Sequence, residues 1–273
     1  MPYLQDTHDK VTTERLRLMK QRNQKICCIT AYDGLFARIF EEAGVDLILV
    51  GDSLANVFQG KDTTLSVTLE EIIYHTKIVK SAVSRPLVVA DMPFMTFQIN
   101  PDEAVRNAGI LLKETECNAV KLEGASNKIL QAIEYMTEIG IPVMGHIGLT
   151  PQSINKFGTY RVRGKDLEEA EKIYNDAIKL EKAGCFAVLL EKIPATLSQR
   201  ISQELSVPTI GIGAGQHCDG QILVCSDMLG LSIDFNPRFV RKYANLYDDI
   251  RKAVMSYTAD VQNSTFPNAD ESY

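Results

Sequence analysis

A chain of 273 residues, with 29 Lys and Arg against 35 Asp and Glu, a net charge of −6 and 45% hydrophobic residues, has an ordinary water-soluble composition. The mild acidic excess, without a run of five basic residues, supplies no electrostatic footprint for nucleic acid or an anionic membrane surface. No stretch approaches the roughly 18 consecutive apolar residues of a membrane span, and the opening residues 1–10 are polar, so a cytoplasmic location is expected.

An extra N-terminal helix is expected over 11–21. Eight apolar runs of strand length then follow, at 26–32, 47–54, 86–94, 119–125, 142–149, 187–193, 209–215 and 222–229. Near-continuous Val, Ile and Leu, as in Leu-Ile-Leu-Val before Gly51, marks strands buried on both faces, which is a property of parallel sheets. Helix signals lie between them. Thr68 with Glu71 makes a capping box, and Asn100-Pro101-Asp102-Glu103 offers an N-cap, a first-turn Pro and an acidic third residue. Gly44, Gly140 and Gly184 each close a 3.6-period run just before a strand, the position of a helix C-cap. The connection 215–221 is too short for a helix, so the seventh unit is irregular or the eighth strand begins after a tight turn. A closing helix is expected over 239–257, and 263–273 reads as a polar, disordered tail behind a single domain, 1–262. Eight strands alternating with helices in roughly 250 residues predict an α/β fold, a (β/α)8 barrel rather than an open doubly wound sheet. The six cysteines, at 27, 28, 117, 185, 218 and 225, lack metal-type spacing and read as reduced core thiols, with Cys27 and Cys28 on opposite faces of a strand.

In a parallel barrel the chemistry gathers at the C-terminal ends of the strands. Asp52 ends the second run and Asp91 the third. Lys121 and Glu123 lie two apart in the fourth and share one face, His146 closes the fifth, and Glu191 follows Val-Leu-Leu in the sixth. Each has a structural alternative. Asp52 could cap a helix or turn, Asp91 could make an Asx turn, and Lys121 with Glu123 could be an internal ion pair. Glu191 with Lys192 could be an exposed pair, and His146 a core imidazole on a backbone carbonyl. Their recurrence on five consecutive strands is the signal, because buried charges need a partner or a metal. Two or three carboxylates beside a cation suit Mg2+, which takes one or two protein carboxylates and completes its shell with water and substrate oxygens. No His/Cys cluster suggests zinc. Such a site could chelate a 2-oxo acid and stabilise its enolate. Gly211-Ile-Gly-Ala-Gly215 lacks the full dinucleotide spacing and the following helix, and reads as a close turn at the rim.

Taken together, Gly-Asp-Ser-Leu (51–54), Ala-Asp-Met-Pro-Phe (90–94), Lys-Leu-Glu-Gly (121–124), Gly-His-Ile-Gly-Leu-Thr-Pro-Gln-Ser (145–153) and Gly-Ile-Gly-Ala-Gly…Cys-Asp-Gly-Gln (211–221) resemble the ketopantoate hydroxymethyltransferase family, over about 10–247. The resemblance implies a (β/α)8 TIM barrel of the phosphoenolpyruvate/pyruvate type. It implies transfer of a hydroxymethyl group from 5,10-methylenetetrahydrofolate to 3-methyl-2-oxobutanoate, giving ketopantoate for pantothenate and coenzyme A synthesis. A cytoplasmic homo-oligomer, a decamer in bacterial members, is implied as well. By position, Asp52 and Asp91 would be direct Mg2+ ligands and Glu123 a metal-site carboxylate, directly or through water. Ser53 and Lys121 would hold the oxo acid, which Asp52 and Asp91 would touch through the metal. Glu191, in Leu-Glu-x-x-Pro, would be the proton acceptor, and His146 a substrate-side hydrogen-bonding partner. Ala55, Ser66, Met95-Thr96-Phe97 and Thr159 depart from the family pattern, which bears on loop closure and folate placement rather than on the metal set. Two other readings share these residues: a Mg-dependent barrel lyase or mutase acting on a 2-oxo or phosphono acid, and a non-catalytic binding barrel. The lyase branch commonly carries a catalytic Cys in a short polar loop, and none of the six cysteines lies in one.

Overall fold

The computed structural model describes residues 10–233 and 236–273, so the polar opening segment before Lys10 lies outside the described residues. Helix α1 (Thr13–Gln21) starts at Thr12, whose side-chain oxygen accepts the Arg15 N–H. There follow β1 (Ile26–Thr30), α2 (Gly34–Glu42), β2 (Leu47–Val50), α3 (Leu54–Val57), α4 (Leu69–Ala82), β3 (Leu87–Asp91), α5 (Pro101–Thr115), β4 (Ala119–Glu123), α6 (Asn127–Glu138), β5 (Val143–Gly148), α7 (Ile154–Phe157), α8 (Leu167–Lys182), β6 (Ala187–Glu191), α9 (Ala195–Glu204), β7 (Thr209–Ile212) and β8 (Gly220–Leu223). Each strand runs parallel to its neighbours and β8 pairs back with β1, so the sheet is a closed eight-stranded barrel. The local signals act where they were read. The Thr68–Glu71 capping box forms at α4, Asn100 accepts the Glu103 N–H at α5, and Gly44, Gly140 and Gly184 end α2, α6 and α8 with left-handed backbone.

The eighth strand differs from the expected 222–229. It begins at Gly220, where a Cβ would lie 2.6 Å from the Ile26 carbonyl oxygen, so only glycine allows pairing with β1 from that point. The rest of the apolar run, Cys225–Met228, is a helical turn, α10. Apolar periodicity alone does not separate a short buried strand from a turn of helix. The link between Ile212 and Gly220 carries no helix, as its length required.

The chain divides into two compact units, residues up to Val224 and Cys225–Tyr273. The second unit holds α10, α11 (Leu246–Gln262) and a 3-10 turn, Ala269–Glu271, within the expected polar tail. Helix α11 lies further along the chain than 239–257. It starts after Asn245, with Asp248 and Asp249 placed in its first turn, where carboxylates favour the helix dipole. All six cysteines are free; five are buried, while Cys27 is exposed and its neighbour Cys28 points into the core. Among the described residues no helix is long and apolar enough to cross a membrane.

The barrel interior explains where the charged residues go. Leu47, Leu87, Val89, Ala119, Met144, Ala187, Leu189, Ile210 and Ile222 form its apolar core, joined by Leu16 of α1. Side chains along a strand alternate with period 2. The next inward positions on β3 to β6 are therefore Asp91, Lys121 with Glu123, His146 and Glu191, a charged layer above an apolar floor. Helix α1 is fastened beneath that floor: the Val11 N–H donates to Arg85 O at 2.8 Å, and Lys20 Nζ donates to Asp219 Oδ2 at 2.9 Å and to Ser202 O at 2.8 Å.

Candidate active site

Strand register delivers the charged residues to one another. Asp91 pairs laterally with Lys121, Glu123 with His146, and Gly148 with Glu191. Lys121 Nζ lies 2.8 Å from Asp91 Oδ1 and 3.6 Å from Glu123 Oε1. His146 spans the next gap, with Nδ1 3.4 Å from Glu123 Oε1 and Nε2 3.3 Å from Glu191 Oε2. Asp52, in the turn after β2, joins through its own N–H, which donates to Asp91 Oδ2 at 3.0 Å. Asp52, Asp91, Lys121, Glu123 and His146 are all at most 5% exposed, whereas the Glu191 side chain keeps 16% of its surface in solvent. Ser53 stands beside them, its Oγ 2.7 Å from the Tyr32 hydroxyl. His75 Nδ1 is 2.7 Å from the Tyr32 carbonyl oxygen, which can only accept, so Nδ1 carries the proton there.

The site residues read from the sequence thus meet in one place, and one of the structural alternatives fails. His146 contacts carboxylates rather than a backbone carbonyl. Lys192, with left-handed φ of 46°, donates from Nζ to Tyr160 O at 2.6 Å, and its carbonyl oxygen accepts the Arg163 N–H at 2.8 Å. The loop that carries Thr159 is therefore tied to the residue after Glu191. On the other side, Gly148 has φ of 94°, and a Cβ there would sit 2.3 Å from Glu191 O. That absence of a side chain lets the Leu149 N–H reach the same carbonyl at 2.8 Å.

Three buried carboxylates share one ammonium, and the electrostatics follow. Burial is the largest influence on Asp52, and the charges of Asp91 and Glu123 reinforce it, so its carboxyl is pushed well above the usual range. Asp91 is also raised, burial outweighing its ion pair with Lys121. Glu123 is buried too, yet Lys121 and His146 together hold it below the usual value. Burial and the Lys121 charge pull His146 down, but Glu123 and Glu191 outweigh them and hold it up at about 9. Lys121 is raised despite its burial, because Asp91, Glu123 and Asp52 surround it. The layer holds four carboxylates, Asp52, Asp91, Glu123 and Glu191, against two basic groups, Lys121 and His146.

That excess fits a dication. Glu123 Oε1 and Asp91 Oδ1 are buried without a hydrogen bond, the latter in ionic contact with Lys121 alone, and the donors are hard carboxylate oxygens of the kind Mg2+ prefers. Among the described residues no three ligating groups converge closely enough to enclose an ion by themselves. Mg2+ does not need them to, since water and substrate oxygens ordinarily complete its shell.

Sequence reasoning missed Gln152, which is 5% exposed. Its backbone N–H donates to Glu123 Oε2 at 3.0 Å, and its Nε2 donates to Asp52 Oδ2 and to Met92 O, each at 3.0 Å. Its one signal was a place inside the 145–153 motif, just past strand five.

A sequence model of the family described as ketopantoate hydroxymethyltransferase matches residues 10–269. The 3-methyl-2-oxobutanoate hydroxymethyltransferase of Chlorobaculum parvum is 56% identical over 267 residues, covering 96% of each chain. The enzyme of the same name from Bacteroides thetaiotaomicron is 52% identical over 271 residues, covering 99% of each. Among solved structures, phosphoenolpyruvate phosphomutase from Streptomyces platensis subsp. rosaceus matches with a TM-score of 0.61 at 16% identity, covering 93% of this chain and 88% of that one, a likeness of fold.

Proposed function

Because the chain belongs to the ketopantoate hydroxymethyltransferase family, and so is a hydroxymethyltransferase that forms ketopantoate, we propose that it uses 5,10-methylenetetrahydrofolate as donor, 3-methyl-2-oxobutanoate as acceptor and one Mg2+ at Asp52, Asp91 and Glu123. The observation that carries this is the buried layer itself: three carboxylates, from the turn after β2 and from β3 and β4, around one lysine. Asp52 and Asp91 would bind the ion directly and Glu123 directly or through water. When bound, Mg2+ supplies Lewis-acid polarisation of the oxo acid's carboxylate and keto oxygens.

The chain's own groups do the rest. The Lys121 ammonium and the Ser53 hydroxyl hold the oxo acid, Ser53 being oriented by Tyr32. Glu191, the least buried carboxylate of the layer, takes the C3 proton. The enolate carbon bonds to the methylene carbon as both of that carbon's bonds to folate nitrogens break, a water molecule supplies the hydroxyl, and the C3 proton and the second proton of that water go to the two nitrogens. His146, between Glu123 and Glu191, keeps the Glu191 carboxylate turned toward the layer. A homo-oligomer, decameric as in bacterial members, and a cytoplasmic location belong to the same proposal.

Purified protein is expected to consume 3-methyl-2-oxobutanoate only with the reduced folate present, and to stop on chelation and resume on added Mg2+. Folate-independent consumption, or indifference to the chelator, would remove the donor or the ion from the scheme. Asp91→Asn is expected to raise the Mg2+ concentration for half-maximal activity by at least roughly tenfold, since even residues that merely support a ligand are worth about 10- to 100-fold. A Mg2+ titration checks this, and undiminished affinity takes Asp91 out of the metal set.

A further inference from the structure

We infer that Gln98 and Gln152 form a directed amide relay that positions Asp52 and joins the metal site to the loop after β3. The inference deepens the functional proposal, resting on Asp52 as a metal ligand.

The direction of each amide is set by its neighbours. The Met95 and Phe97 backbone N–H groups, 2.7 and 3.4 Å from the Gln98 side chain, can only donate, so the atom facing them is the carbonyl Oε1. The Gln98 NH2 consequently faces Gln152 Oε1, at 2.9 Å. The Gln152 NH2 then faces the Met92 carbonyl oxygen, which can only accept, and reaches Asp52 Oδ2 from the same nitrogen. Turning either amide over would set acceptor against acceptor. The chain therefore has one polarity, from the loop N–H groups to the Asp52 carboxylate.

Its metal-side end sorts carboxylate oxygens. Gln152 ties one oxygen of Asp52 through its side chain and one of Glu123 through its backbone, and the Asp52 N–H ties one of Asp91. The opposite oxygens, Asp91 Oδ1 and Glu123 Oε1, carry no hydrogen bond and face the Lys121 ammonium at 2.8 and 3.6 Å. Outer partners of this kind fix the orientation in which a carboxylate meets an ion. At the loop end, Met95 holds φ of 70°, left-handed backbone that non-glycine residues rarely adopt, and the Gln98 oxygen clasps its N–H. The loop conformation and the aim of Asp52 are thus held by the same two side chains.

Mn2+ binding to the full-length protein without oxo acid, followed by calorimetry, tests the relay. Gln152→Ala should weaken binding about 10- to 100-fold. Gln98→Glu is more discriminating. The new carboxylate still accepts from Met95 but cannot donate to Gln152, so the Gln152 oxygen is left facing a negative charge or its amide turns away from Met92 and Asp52; both undo the relay. Mn2+ affinity should fall roughly tenfold, although an added negative charge alone would strengthen cation binding. Gln98 is only half-buried, so this variant carries the test if Gln152→Ala fails to fold. Amide exchange of 92–99, read by mass spectrometry without metal, should quicken about tenfold in Gln98→Glu or Gln152→Ala. Mn2+ affinity in Gln98→Glu equal to or tighter than in the unaltered protein, or unchanged loop exchange, would overturn the relay. If the unaltered protein takes no Mn2+, the metal assignment fails instead, and loop exchange decides the relay alone.

Discussion

Glu191→Gln is expected to leave metal and oxo-acid binding near their original levels while slowing exchange of the C3 proton by about 10² to 10⁴, or roughly 3 to 5 kcal/mol of barrier. Glutamine keeps the size of the side chain and a group that can meet His146 Nε2, now 3.3 Å from Glu191 Oε2, but it cannot take up a proton. Following loss of the C3 proton signal of 3-methyl-2-oxobutanoate in D2O, with Mg2+ and no folate, isolates proton abstraction from carbon transfer. An unchanged exchange rate with lost overall turnover would assign Glu191 to the transfer step instead and leave the base to be found elsewhere in the layer.

Lys121→Met should have the largest effect on stability. Removing one partner of a buried ion pair costs about 3 to 5 kcal/mol, because the remaining charge stays desolvated without compensation. Here the ammonium serves Asp91 at 2.8 Å and Glu123 at 3.6 Å. Denaturant unfolding in the presence of a chelator should show that loss. Saturating Mg2+ should restore a larger share in the variant than it adds to the unaltered protein, a ligand at 100 times its Kd contributing about 2.7 kcal/mol. A loss below about 1 kcal/mol would show that the carboxylates shed their charge by taking up protons and do not depend on Lys121.

Much of this site was legible because period-2 alternation and strand ends are local properties. Asp91, Lys121, Glu123, His146 and Glu191 could each be placed at the rim of a strand from its own neighbours in the chain. What the chain order does not contain is lateral register. That Asp91 lies opposite Lys121, and Glu123 opposite His146, depends on how far each strand slides along the next. Gln98, Gln152 and Tyr32 were invisible for a related reason. Nothing adjacent to a glutamine tells whether its amide will meet water or a carboxylate brought from a hundred residues away. Met95 was noticed as a departure from the family's pattern, but its left-handed backbone emerges only with the fold. The misplaced eighth strand shows the same limit, since Gly220 acquires its meaning from the Ile26 carbonyl it must approach.

The plug formed by α1 has a consequence for traffic. With Leu16 set among the apolar residues of the floor and Val11 and Lys20 fastened to Arg85, Asp219 and Ser202, the cylinder is a vessel stoppered at its base. Among the described residues the base is thereby closed, which leaves the side of the charged layer for the reactants to approach.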